Sequence, residues 1–273
     1  MSLRSLAGTY EALLLDAYGV LVDGSGAMAG AVEAVAMLNE SSTPWLVLTN
    51  DASRHPATSA QRYRTLGLEI TEEQIITSGS LIGPWFVAQG LAGAPTTVLG
   101  PEDSRRYASD AGALIVPPGD DRASVLIVAD DAGFPFLSSI EAAISSLFRR
   151  IDAGREVRLL LPNPDLIYPK SPGEFGITAG SIASLIESAL VQRYPERQDL
   201  RFERLGKPFS PIYETAIQRL QTRNVCMVGD QLATDIAGAL KVGIDAALIT
   251  GGVGVLHPDN PIQPTWLTSL TGT

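Results

Sequence analysis

The stretch Val225-Cys226-Met227-Val228-Gly229-Asp230 is an apolar run that ends in a glycine and an aspartate. A pattern with helical spacing covers residues 234–242, and a second apolar run occupies residues 246–249. Continuous apolar strands that alternate with helices are typical of a parallel sheet that is covered on both faces. This region therefore predicts a strand, a helix and a strand, with Asp230 at the carboxyl end of the first strand.

The same alternation continues through the rest of the chain. Apolar runs that predict strands occupy residues 12–16, 45–49, 96–99, 125–128 and 158–161. Helical spacing is present in residues 30–39, 57–66, 104–110 and 138–151. The pattern predicts an α/β fold with a doubly wound parallel sheet. The middle of the chain holds enough strands and helices for a second α/β domain of roughly 100 residues.

Composition excludes several classes of function. The chain has 273 residues, of which 45% are hydrophobic, and its 20 basic and 30 acidic residues give a net charge of −10. Nucleic acids and anionic membranes require a positive surface, so neither is expected as a partner. Cys226 is the only cysteine, which excludes an intramolecular disulfide and a zinc site with several cysteines. We expect a cytoplasmic protein, and no apolar run approaches the roughly 18 residues of a membrane span.

Polar residues stand where several predicted strands end. Asp16 ends the first strand, Thr49 ends the second, and Asp230 follows the run at 225–228, with Asp235 shortly after it. Lys207 comes before that run, in a polar region. Because ligands of parallel sheets bind beyond the carboxyl ends of the strands, these five side chains are expected to meet at one edge.

Three acids, a hydroxyl and a lysine at one edge suit phosphoryl transfer. A carboxylate can attack phosphorus, and clustered carboxylates with a phosphate form a ligand set for Mg²⁺. A lysine and a hydroxyl can hold the phosphate oxygens as charge shifts. Taken singly, each residue has a simpler explanation, since Asp230 could cap a helix and Asp235 could be a first-turn acid. It is their order along an alternating α/β chain that favours a catalytic site.

These residues resemble the four motifs of the haloacid dehalogenase-like superfamily. The matching segments are, in order, Leu15-Asp16-Ala17-Tyr18-Gly19, Val47-Leu48-Thr49-Asn50, Gly206-Lys207-Pro208 and Gly229-Asp230-Gln231-Leu232-Ala233-Thr234-Asp235. The insertion between the second and third motifs resembles the α/β cap of subclass IIA, the NagD-like phosphatases. Asn163-Pro164-Asp165 matches the signature of that subclass. The resemblance implies a Rossmann-like core at residues 1–79 and 197–273 and an inserted cap domain at residues 80–196.

The resemblance also implies roles for individual residues. Asp16 would be the nucleophile, Thr49 and the backbone of Asn50 would bind the phosphoryl group, and Lys207 would balance charge. Asp16, Asp230 and the backbone carbonyl of Tyr18 would hold Mg²⁺, and Asp235 would support these ligands or reach the metal through water. The implied substrate is a small phosphorylated molecule, and a homodimer through the cap is left open because caps of this subclass often pair.

Tyr18 departs from the pattern of the phosphatases in this superfamily. They carry an aspartate at that position, which protonates the leaving oxygen and then activates water. A phenol has a pKa near 10, so close to neutral pH it is a weak acid and a negligible base. General acid–base help is typically worth roughly 10²- to 10⁴-fold in rate. We therefore expect slow turnover unless another group substitutes. Asp23 is the nearest following acid, but we expect it on the loop that follows the turn after the first motif.

Two alternatives stay open. Asp16-Ala17-Tyr18-Gly19 also resembles the first motif of the L-2-haloacid dehalogenases, in which a carboxylate attacks carbon without a metal. The acids of the fourth motif and the large insertion count against this reading. The other alternative is a catalytically impaired protein that binds a phosphorylated ligand.

A metal site built from histidines is not expected, because His55 and His257 are too few to form one.

Overall fold

The chain folds into two compact units. The computed structural model describes residues 1–171, 174–249 and 259–271, so His257 lies outside the described residues. The first unit comprises residues 1–49, 56–76 and 207–273, and the second comprises residues 50–55 and 77–206. The cap limits implied by the resemblance, residues 80–196, stay a prediction.

Helices and strands alternate along most of the described chain. The helices are α1 (Leu3–Thr9), α2 (Ala31–Glu40), α3 (Pro56–Thr65), α4 (Ile82–Gln89), α5 (Glu102–Asp110), α6 (Phe136–Asp152), α7 (Ala179–Arg193), α8 (Ser210–Leu220) and α9 (Ala237–Lys241). The strands are β1 (Ala12–Leu15), β2 (Trp45–Thr49), β3 (Ile75–Thr77), β4 (Pro95–Leu99), β5 (Leu114–Ile115), β6 (Val125–Val128), β7 (Arg158–Leu161), β8 (Ile167–Ser171), β9 (Glu174–Ile177), β10 (Glu203–Arg204), β11 (Val225–Gly229), β12 (Asp245–Ile249) and β13 (Trp266–Thr268).

The first unit is built around a doubly wound sheet with the strand order β13-β12-β11-β1-β2-β3. The neighbouring strands from β13 through β2 all pair in parallel. The chain leaves β1 toward β2 on one side and returns to β11 on the other, which makes the β1–β11 junction the topological switch point. All residues of β1, β2 and β11 are buried, as expected of strands covered on both faces.

Helix α2 of this unit covers the sheet with one apolar face. In α2 the buried residues are Ala31, Ala34, Val35 and Leu38, whose spacing places them on one side of a helix. They belong to one core cluster together with Leu13 and Leu15 of β1 and Val47 of β2. This packing holds the carboxyl ends of β1 and β2 in place.

The second unit has its own parallel sheet, with the order β10-β7-β6-β4-β5, and an antiparallel hairpin of β8 and β9. In α6 the residues Ile140, Ala143, Leu147 and Ile151 are buried at helical spacing and share a core cluster with α7, β6 and β7. The predicted fold class, a doubly wound parallel sheet with an inserted α/β domain, is thus confirmed.

The sequence pattern missed several elements, among them the helices α1, α4, α7 and α8 and a number of short strands. The strands β5, β9, β10 and β13 have few buried side chains, so no continuous apolar run marks them. In β8, Ile167 and Tyr168 are exposed. The helix expected at 234–242 begins as a π-helical turn, Leu232–Ile236, before α9. Within the described residues, no helix is long and apolar enough to cross a bilayer.

Candidate active site

The candidate site of the first unit lies at the switch point of its sheet. Asp16 directly follows β1, and Asp230 directly follows β11. The two strands are paired, with Leu15 opposite Val228, and the Asp16 amide donates to the Val228 carbonyl at 2.9 Å. Neighbouring strand ends therefore bring two carboxylates together where an open α/β sheet binds ligands.

Lys207 joins two of the three acids. Its Nζ lies 2.6 Å from Oδ1 of Asp16 and 2.7 Å from Oδ1 of Asp235. The side chains of Lys207, Asp16 and Asp235 are 3%, 8% and 0% exposed. An ammonium between two carboxylates at these distances, away from water, forms two charge-assisted hydrogen bonds.

Two glycines allow the acids to lie directly against the backbone. Gly19 has φ +86°, and a Cβ there would stand 2.2 Å from Oδ2 of Asp230. A Cβ on Gly229 would stand 2.3 Å from Cβ of Asp235. Any other residue at these positions would displace a carboxylate, so the shape of the acidic cluster depends on both glycines.

The charges of the cluster act on one another. The pKa of Asp16 is raised well above its usual range, first by burial and then by the negative charge of Asp235, with Asp230 adding to it. For Lys207, burial lowers the pKa, but the charges of Asp16 and Asp235 outweigh burial and raise it above its usual range. Lys207 is therefore protonated at neutral pH.

The three acids fit a divalent cation. Asp16, Asp230 and Asp235 each offer one carboxylate oxygen, and these three atoms lie within 4.8 Å of one another. The donors are all oxygens, and three carboxylates outnumber the single ammonium of Lys207. An oxygen-only, anionic and buried set of this kind matches the preference of Mg²⁺.

The predicted phosphate-binding residues Thr49 and Asn50 fall in different units. Thr49 is the last residue of β2 and is buried, and β2 pairs with β1, so Thr49 ends at the same edge of the sheet as Asp16. Asn50 is the first residue of the second unit. There its Nδ2 donates to Oδ1 of Asp165 at 2.9 Å.

Tyr18 does not enter the buried cluster with its side chain. The phenol is 39% exposed, and the guanidinium carbon of Arg62 lies 5.4 Å from its ring centroid. This cation–π contact holds the ring on the surface of the first unit. Sequence reasoning missed Arg62, because nothing in its local pattern in α3 marks a partner for Tyr18.

Asp23 has a structural role in its own loop. Its Oδ1 accepts hydrogen bonds from the amide and the hydroxyl of Ser25 and from the amide of Gly26. These bonds lower the pKa of Asp23, with the Ser25 hydroxyl as the largest cause. The Asp23 carboxylate is therefore engaged within its own loop.

Two family models match the chain. The model described as haloacid dehalogenase-like hydrolase matches residues 13–113, and the HAD-hydrolase-like model matches residues 204–270. The first contains Asp16 and Thr49, and the second contains Lys207, Asp230 and Asp235. The matched segments therefore carry the residues that the structure gathers at the switch point.

Several named proteins are similar over nearly the whole chain. The 5'-nucleotidase YutF of Bacillus subtilis is 29% identical over 247 residues, which cover 90% of this chain and 89% of that protein. An acid sugar phosphatase of Staphylococcus haemolyticus is 25% identical over 261 residues, covering 94% and 92%. The crystal structure of a possible sugar phosphatase of the HAD superfamily from Cytophaga hutchinsonii has a TM-score of 0.85 and 29% identity, covering 100% and 98%.

Proposed function

Because this chain belongs to the haloacid dehalogenase-like hydrolases and has the fold of their NagD-like subclass IIA, we propose that it is a magnesium-dependent phosphatase. The proposed substrates are small phosphate monoesters, with sugar phosphates and nucleotides as the first classes to test. This choice is supported by the activities that name the similar proteins, a 5'-nucleotidase and an acid sugar phosphatase.

The observation that carries the proposal is the buried cluster of Asp16, Lys207, Asp230 and Asp235. A buried ion pair is weak support for stability, since replacing such pairs by apolar residues is often neutral or stabilising. Three buried carboxylates, two of them paired with one ammonium, are better explained by chemistry at a ligand-binding edge. The cluster contains a nucleophile, a cation to balance it and ligands for a metal.

In the proposed reaction, a carboxylate oxygen of Asp16 attacks phosphorus and forms an aspartyl-phosphate. The bond from phosphorus to the substrate oxygen breaks, and that oxygen leaves as an alkoxide or phenolate that takes a proton from water. Water then attacks the phosphorus, which releases inorganic phosphate and restores the Asp16 carboxylate. The hydroxyl of Thr49 and the backbone of Asn50 bind the phosphoryl oxygens, and Lys207 balances the charge on nucleophile and phosphate.

Mg²⁺ would be held by Asp16, Asp230 and the backbone carbonyl of Tyr18, with Asp235 in contact directly or through water. When bound, it would neutralise negative charge on the phosphoryl oxygens and on the clustered carboxylates. The second unit is proposed to act as the cap that selects the leaving group. A homodimer through this unit stays a prediction, which the molar mass from light scattering tests.

Tyr18 sharpens the proposal and supports a second candidate function. Its exposed phenol replaces the acid that would protonate the leaving oxygen, and Asp23 is engaged elsewhere. Turnover should therefore be slow for alkyl phosphates and faster for substrates with good leaving groups. If even these are not hydrolysed, the protein is proposed to bind a phosphorylated ligand through the same cluster without turnover.

The test is hydrolysis of p-nitrophenyl phosphate by the pure protein with Mg²⁺ and with EDTA. We expect the release of p-nitrophenol to require Mg²⁺. Its rate should fall by at least about 10³-fold in Asp16→Asn, since removal of a nucleophile has effects of this order or larger. Asp23→Asn is the matched control and should keep the rate of the wild type.

Other outcomes identify the alternatives. Release that survives EDTA and Asp16→Asn would contradict the proposal. A burst of about one equivalent of p-nitrophenol, with phosphoenzyme that accumulates and no further turnover, would indicate a stalled enzyme. Metal-independent release of chloride from 2-chloropropionate would identify the dehalogenase, in which a carboxylate attacks carbon.

A further inference from the structure

The Asn163-Pro164-Asp165 turn of the second unit is held tightly by its surroundings. Oδ1 of Asn163 accepts a hydrogen bond from the Asp165 amide at 3.0 Å. The Asp165 carbonyl accepts from the hydroxyl of Thr178 and, at 3.0 Å, from the amide of Gly180. A Cβ on Gly180 would lie 2.4 Å from that same carbonyl oxygen, so the turn and the start of α7 are in close contact. The backbone of Asp165 is thus fixed before its side chain is considered.

The side chain of Asp165 holds Asn50. Asn50 Nδ2 donates to Asp165 Oδ1 at 2.9 Å, although the two residues are 115 positions apart. Asn50 is buried, and its carbonyl accepts from the hydroxyl of Ser78 at 2.7 Å. Side chain and backbone of Asn50 are therefore anchored to two different segments of the unit.

Gly206 completes this junction. Its amide donates to the Pro162 carbonyl at 3.0 Å. A Cβ at position 206 would stand 2.5 Å from Oδ1 of Asn50 and 2.6 Å from the Pro162 carbonyl oxygen. Asn50 consequently packs against the backbone of Gly206. Both residues are hydrogen-bonded to the segment at residues 162–165.

We propose that Asp165 is a positioning residue for the reaction. It holds Asn50, which packs on Gly206, and the adjoining residues in the chain are Thr49 and Lys207. A displaced junction would move both of these residues, and a shift of 1 Å in a reacting group can cost roughly 10²-fold in rate. The role of Asp165 in catalysis rests on the phosphatase function proposed above. Its role in fixing the segments Thr49-Asn50 and Gly206-Lys207 does not depend on that function.

Two variants of Asp165 separate positioning from mere packing. Asp165→Ala removes the acceptor for Asn50 Nδ2, and we expect kcat for p-nitrophenyl phosphate to fall about tenfold or more with a smaller change in KM. Asp165→Asn keeps an acceptor oxygen and should stay within about threefold of the wild type. Asp199→Ala is the matched control, because Asp199 is exposed and bonded to Arg197.

Amide hydrogen exchange gives a readout that does not depend on activity. In Asp165→Ala, peptides that contain Thr49-Asn50 and Gly206-Lys207 should both exchange faster than in the wild type. In Asp165→Asn and Asp199→Ala they should exchange at the wild-type rate. If Asp165→Ala does not fold, Asn163→Ala loosens the same turn and should accelerate exchange in both peptides to a smaller extent.

The results separate the two proposals. Wild-type exchange rates in a folded Asp165→Ala or Asn163→Ala variant would overturn the positioning role. An equal loss of kcat in Asp165→Asn and Asp165→Ala would also overturn it, because a retained acceptor would then have no effect. A wild-type protein that hydrolyses nothing would refute the phosphatase function, while the exchange data would still decide whether Asp165 holds both segments.

Discussion

The two units of the chain bury polar groups in different ways. The first unit places full charges in its interior, with Lys207 between Asp16 and Asp235. The second unit satisfies buried groups largely by neutral hydrogen bonds, such as that of Ser104 Oγ to the Ala52 carbonyl at 2.7 Å. Burying an ion costs several kcal/mol, whereas a satisfied neutral bond costs little. A fold that needed only stability would use the second solution, so the charges of the first unit indicate chemistry.

Breaking the charged cluster should have the largest effect. Lys207→Met leaves the buried carboxylates without their cation, and we expect the free energy of unfolding to fall by about 3–5 kcal/mol. Urea unfolding at pH 7, followed by circular dichroism, measures this loss. Arg223→Ala is the control, since Arg223 and Glu214 form an exposed ion pair worth at most about 1 kcal/mol. Equal losses in both variants would contradict the comparison.

Removing one neutral hydroxyl from the second unit should cost less stability. The Tyr107 hydroxyl lies 2.7 Å from Oγ1 of Thr77 and donates to the Arg54 carbonyl at 2.8 Å. Tyr107→Phe removes both hydrogen bonds, so we expect the free energy of unfolding to fall by about 1–3 kcal/mol. The same urea experiment checks this value. A loss as large as that of Lys207→Met would show that the two interiors do not differ in this respect.

Placing an acid at position 18 of the first unit should raise the rate of hydrolysis. Tyr18→Asp supplies the missing proton donor, and we expect the rate for p-nitrophenyl phosphate to rise about tenfold or more. The gain should be larger for phenyl phosphate, whose leaving group needs the proton more. Tyr18→Asn is the control, because asparagine has the same size as aspartate but carries no acidic proton. A gain of equal size in Tyr18→Asn would show that the faster rate comes from removal of the ring and not from the added acid.

The smallest effect is a pH dependence in the second unit. His55 stacks on Tyr107 with ring centroids 3.7 Å apart, and burial lowers its pKa below 6.5 although Asp103 acts in the opposite sense. The unfolded chain binds a proton near pH 6.5 and the folded chain only at lower pH, so stability falls as the pH drops below 6.5. The other charged groups that act on His55 are Arg106, which also lowers its pKa, and Asp110, which raises it.

His55→Phe keeps a ring in the stack and removes this titration. Urea midpoints between pH 7.5 and 5.5 should decline more for the wild type than for the variant. Asp130, whose pKa burial raises to about 6, acts in the opposite direction but equally in both proteins. Parallel pH profiles of wild type and variant would contradict the assignment to His55.

The residues at the strand ends were predictable from the sequence. Asp16, Thr49 and Asp230 follow apolar runs, and the parallel sheet carries them to one edge because its strands share a direction. Their roles in catalysis stay a prediction, but their position was derivable. The positions of Arg62 and Asp165 were not, because each contacts a residue in a distant segment of the chain.

The sequence by itself determined the alternation of strands and helices, since local apolar patterns record which side chains must leave water. It also determined which polar residues stand at the carboxyl ends of strands. Only the tertiary structure decided that Lys207 bridges Asp16 and Asp235, that Asn50 pairs with Asp165, and that the Tyr18 ring faces solvent. These contacts join residues that are far apart in the sequence, and a local sequence pattern carries no information about which distant segments come into contact.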